Sequence, residues 1–161
     1  MSFSACKSSS STDSGTAAAA PTEAQVLEAD LAALPHAGGS LVDQLAAELA
    51  ARPKGTPTLE GVLAAVAPQG VSFNAPRQVF GQKQYALYCA SADSVDGLVL
   101  TVCEYPGEAQ AARGEKAANV VQGQLARHQS RVRRQSVLHV VPRSDTPEDT
   151  VKKVLGAFES L

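Results

Sequence analysis

Tryptophan is absent from this chain, methionine occurs once, and aromatic residues make up only 4% of the sequence. A protein so poor in rings offers few platforms on which bases or sugars stack. No run approaches the roughly 18 apolar residues that a membrane-spanning helix requires. With a net charge of −2 at pH 7, the chain also lacks the strongly basic balance of a nucleic-acid binder. Missing as well are a Ser/His/Asp or paired-carboxylate arrangement for hydrolysis, and any closely spaced pair of cysteines or histidines of the kind that holds zinc. What is present is 161 residues, 44% of them hydrophobic with a heavy share of alanine. That length suits one domain, with enough chain beyond a leader to bury a core.

The stretch from Tyr85 to Tyr105 holds two β-prone apolar runs around Asp96-Gly97, a strong hairpin signal. With Val95-Asp96-Gly97 as the loop, Ser94 faces Leu98, and the same register sets Cys89 opposite Cys103 as a candidate disulfide. In the second arm Leu98, Leu100, Val102 and Glu104 point one way, and Val99, Thr101, Cys103 and Tyr105 the other. The first face is the greasier and is expected to meet the helices, leaving the cysteine face partly covered or exposed.

Residues 1–21, MSFSACKSSSSTDSGTAAAAP, carry almost no bulky apolar side chain. Such a composition does not offset the entropy of ordering, so a disordered leader is expected there. Within it, Phe3-Ser4-Ala5-Cys6 resembles the lipobox of bacterial lipoproteins, in which a small residue precedes the cysteine that receives lipid. Phe3 stands where leucine is more usual. The resemblance implies lipidation of Cys6, with the Ser/Ala-rich residues after it as a tether that spaces a domain from the membrane. Lys7, by similarity to enterobacterial sorting, implies the outer membrane and its periplasmic face. The alternative is a cytosolic chain with a plain Ser-rich tail.

Residues 22–161 are expected to form a single domain, helical over 22–67 and built of sheet and helix over 71–161. Thr22 to Gln25 has the spacing of a capping box, with Leu27, Leu31 and Leu34 following on one face until Pro35. Ser40 to Asp43 repeats it, with Leu41, Leu45 and Leu49 as the stripe and Pro53 as the stop. Thr56 before Pro57 is expected to open a third helix that buries Leu59, Leu63 and Val66. His36 falls in the loop between the first two helices, where solvation is expected.

Period-two alternation then predicts a short strand over 71–75, ended by Pro76, and next the hairpin arms, 79–92 and 98–105. From Glu108 to about His128 a long helix is expected, its inward stripe being Ala111, Gly114, Ala118, Val121 and Leu125, with Gly114 allowing close packing on the sheet. Val132 and Val137 to Val141 predict a further strand. Thr146-Pro147 then starts a closing helix that buries Val151, Val154, Leu155 and Phe158. The order is thus α-α-α-β-β-β-α-β-α, an α+β fold with helices on one face of an antiparallel sheet. The sheet half is similar, at the level of fold only, to ferredoxin-like domains and to small sheet domains of the PsbP type.

No residue is singled out as catalytic and none as a metal ligand; no cofactor is expected. His139 beside Cys89 or Cys103 is the one thiol–imidazole combination, and it lacks any local nucleophile signature. The densest charge is Arg127, His128, Arg131, Arg133 and Arg134, with Arg143 near. These residues are the candidate contact for an anionic envelope component or an acidic partner, against a reading as a solvated helix end and edge strand. No aromatic residue is interleaved with them, which disfavours nucleic acid. Six acids against Arg52 and Lys54 in the helical half offer the cluster an internal partner instead. The expectation is a non-enzymatic binding or assembly module that meets the membrane only through a lipid anchor. A cytosolic regulatory protein or enzyme is the alternative.

Overall fold

The computed structural model describes residues 20–35, 39–54 and 57–161. Cys6, His36 and Thr56 lie outside them. The protein is α+β. Helices α1 (Glu23–Ala32), α2 (Leu41–Ala50) and α3 (Leu59–Val66) lead into strands β1 (Arg77–Val79), β2 (Tyr88–Asp93) and β3 (Leu98–Glu104). These are followed by α4 (Glu108–Gln122), strands β4 (Gln129–Arg133) and β5 (Ser136–Pro142), and α5 (Glu148–Ser160).

Both expected capping boxes form. Thr22 Oγ1 accepts from the Gln25 amide while Gln25 Oε1 accepts from the Thr22 amide, and Ser40 and Asp43 do the same. The third cap is Thr58, which accepts from the Gly61 amide at 3.1 Å. At α5 the cap position falls on Pro147. Thr146 does not cap, because its hydroxyl donates to the Asp96 carbonyl and so ties the start of α5 to the β2–β3 hairpin.

The five strands form one antiparallel sheet in the order β1-β2-β3-β5-β4. The central hairpin has the expected register. The Ser94 amide donates to Leu98 O at 2.8 Å, and Gly97, at φ 79°, takes the left-handed position that a three-residue loop requires. Three strand expectations are corrected. The arm expected over 79–92 is folded in two, with Val79 in β1 opposite Cys89 and the hairpin arm proper starting at Tyr88. Residues 71–75 make only the isolated bridge Phe73↔Ser94, and pairing resumes beyond Pro76 as β1. The segment 129–142 is two strands, because Arg134 at φ 51° folds it back on itself between β4 and β5.

Leu98, Leu100 and Val102 of β3, with Leu138 and Val140 of β5, meet α3 and α5 around the fully buried Leu59, Val62, Val154 and Phe158. That is the greasier face, packed as expected. The helices nevertheless occupy both faces. α4 lies on the opposite one, over Cys89, Cys103, Tyr105 and Val137. Neighbouring β4 residues register the split: Ser130 reaches Glu115 and Asn119 of α4, while Arg131 reaches Glu159 of α5. An apolar cysteine face left bare would cost about 25 cal/mol for every Å² exposed, and α4 removes that cost.

Candidate functional site

Cys89 and Cys103 face each other across β2 and β3 with their Cα atoms 4.1 Å apart and their sulfurs bonded at 2.00 Å. Both are buried beneath α4, so the cysteine face is closed here rather than partly open. The closure depends on Gly114. A Cβ at that position would lie 2.3 Å from Tyr105 Cε1, so only glycine lets the helix pass over the ring, whose hydroxyl donates to Gln84 O. Burial pushes the Tyr105 phenol well above its ordinary range. His139 lies on the same face, paired with Thr101. With the sulfurs joined to each other, it has no thiolate to activate.

His139 meets another imidazole. His128 Nε2 lies 3.3 Å from His139 Nδ1, and the ring centroids are 5.5 Å apart with an 18° angle between planes. The centroid separation is close to the N···N distance plus the two ring radii, so the nitrogens point at one another along a nearly straight line. That is a hydrogen bond between imidazoles, in which one ring donates and the other accepts. Two ligands of one tetrahedral metal would instead aim at a shared point to the side. Burial, helped by the His128 charge, lowers the His139 pKa to about 4. His128 is lowered by burial too, against the pull of Glu115. His139 Nε2 is buried without a partner among the described residues. No group of three or more His, Cys, Asp or Glu converges among those residues.

The basic cluster is divided by the fold. The Arg127 guanidinium donates to the carbonyls of Arg143, Ser144 and Thr146, which pins the β5–α5 loop while its own backbone sits at φ 63°. His128 is engaged with His139, and Arg131 with Glu159 at 3.1 Å. Of the cluster, Arg133, Arg134 and Arg143 form no ion pair among the described residues; Arg134 and Arg143 are exposed, while Arg133 is half-buried with its Nε covered. The acidic helices find other partners. Arg113 grips Asp30 through two nitrogens, and Lys116 meets Glu23, so α4 rather than the cluster holds α1.

Sequence reasoning missed the buried charges. Glu104 sits at the end of the apolar face of β3, almost wholly buried, and Arg52 reaches it at 2.7 Å across 52 residues of chain. The same guanidinium holds Glu60 at 2.7 Å and lies 4.3 Å above the Tyr88 ring. Burying one partner without the other would cost several kcal/mol, so the triad locks α2 and α3 to the sheet. The signal was Glu104 itself, a carboxylate in register with an inward apolar row.

The turn of α2 was also misread. Its buried residues are Gln44 and Glu48. Glu48 accepts from the amides of Gly81 and Gln82, while Gln44 donates to Pro35 O. Of the predicted inward stripe, Leu41 is 56% exposed and Leu49 53%, and Leu45 is half-buried; Val42 beside them is 72% exposed. Glu48 meets two amides of the β1–β2 connection at once, and since an unpaired buried amide costs about as much as a methyl-rich side chain gains by burial, this turn of the helix competes with one that buries the leucines.

No helix among the described residues is long and apolar enough to cross a membrane. Comparison with family models, with curated proteins and with solved structures gives no match.

Proposed function

We propose that this chain is a non-enzymatic binding or assembly module of the bacterial cell envelope, lipid-anchored at Cys6 to the outer membrane and facing the periplasm. The observation that carries the binding role is α2. It hides Gln44 and Glu48 and presents Leu41, Val42 and Leu49 to solvent, an apolar row that a partner surface would cover. The address is supported by the Cys89–Cys103 bond, because such bonds persist in oxidising compartments and are rare in the cytosol. Arg133 and Arg134, with Arg143, supply the contact to an anionic envelope component.

The experiment places a photo-crosslinking side chain at Val42 of the full chain in its host. A discrete adduct in the envelope fraction is expected, and it should vanish in the Leu41→Asp, Leu49→Asp variant while the circular dichroism is unchanged. No adduct, or one confined to the cytosol, contradicts the reading.

A further inference from the structure

α4 packs on the sheet through Ala111, Gly114 and Ala118, yet the apolar side chains beyond Ala118 face solvent. Val120 is 75% exposed, Val121 73%, and Leu125, just past the helix, 49%, although Val121 and Leu125 continue the inward spacing. Val121 overhangs a small cleft against Lys83 and Tyr85 of the β1–β2 connection. Val120 borders a second cleft, of about 290 Å³, between α4 and α1, lined also by Leu27. Val120 and Val121 thus stand on a ridge between two grooves, with Leu125 exposed just beyond the end of the helix.

The charges around the ridge suit an anionic, interfacial surface. Lys83 is exposed on one side. On the other, the Glu23 carboxylate is neutralised by Lys116 at 3.0 Å. The leader joins the domain at this corner, because α1 begins at Glu23 and Glu23 touches α4 one turn before Val120.

We propose that this corner of α4 is the face on which the domain rests against a lipid bilayer. The inference rests on the lipid-anchored reading above, since an anchor at Cys6 holds the leader's point of attachment toward the membrane. Val120, Val121 and Leu125 enter the boundary between headgroups and acyl chains, and Lys83 meets lipid phosphates beside them. Three aliphatic residues bind a bilayer weakly by themselves; the tether raises their local concentration at the surface until that weak affinity suffices.

The absence of tryptophan makes the test clean. Cys6 is the one cysteine outside the disulfide, so the purified full chain is coupled through Cys6 to maleimide lipid in phosphatidylethanolamine/phosphatidylglycerol vesicles containing brominated lipid. Three variants each carry a single probe: Val121→Trp, Val42→Trp and Val95→Trp. The expected result is blue-shifted emission and loss of intensity at position 121 alone, reversed when Val120→Glu and Leu125→Glu are added. Equal quenching at 121 and 95, or quenching at 42 instead of 121, overturns the proposal. The chemical coupling replaces the biological anchor, so failure of this surface is read separately from failure of Cys6 lipidation, which the mass of the host-derived protein reports.

Discussion

A neutral imidazole at position 139 is built into the folded state, because the ring sits under α4 with His128 as its ring partner and the nearby carboxylate, Glu115, acts on the outer ring. In the folded chain His139 takes up a proton only near pH 4, whereas the unfolded chain does so near the ordinary 6.5. Between those values the unfolded state binds more protons, so stability falls as pH drops through the window, by about 3 kcal/mol in all. Urea unfolding of the parent chain and of His139→Gln across pH 7 to 4 checks this. The parent is expected to lose stability more steeply than the variant, and parallel curves would show that the buried ring does not titrate.

At the scale of elements, α1 stands apart from the other α-helices of the described structure. It has no fully buried residue and is held to α4 by Asp30–Arg113 and Glu23–Lys116. Replacing Asp30 with alanine is therefore expected to raise amide exchange in residues 23–32 about tenfold while leaving the sheet amides unchanged. An equal rise throughout the chain would mean that α1 is part of the cooperative core. Much of the rest was legible in the sequence for local reasons. Alternation and Asp96-Gly97 determined the hairpin register, and side-chain caps located the starts of α1 and α2. The misreadings arose where distant partners decide. Leu41, Leu45 and Leu49 have helical spacing, but the amides of Gly81 and Gln82, more than 30 residues on, turn Glu48 inward in their place. Val121 and Leu125 keep the stripe's period beyond the point where α4 has sheet beneath it. Arg131 looked free because Glu159, its partner, lies 28 residues away. No spacing rule reports such pairs.

At the scale of the whole molecule, the disulfide is the feature on which the proposed compartment rests. It closes a loop with a sequence separation of 14, which in the chain-entropy account contributes about 3 kcal/mol, a large share of the stability of a domain this size. The buried bond, the outward apolar row of α2 and the ridge of α4 are the three features on which the proposed envelope address and binding role rest. The most direct test is the intact mass of the protein taken from its host and alkylated under denaturing conditions without reductant. With Cys6 lipidated and Cys89 joined to Cys103, no alkyl group is taken up until reductant is added. Three alkyl groups without reductant would contradict both the anchor and the compartment.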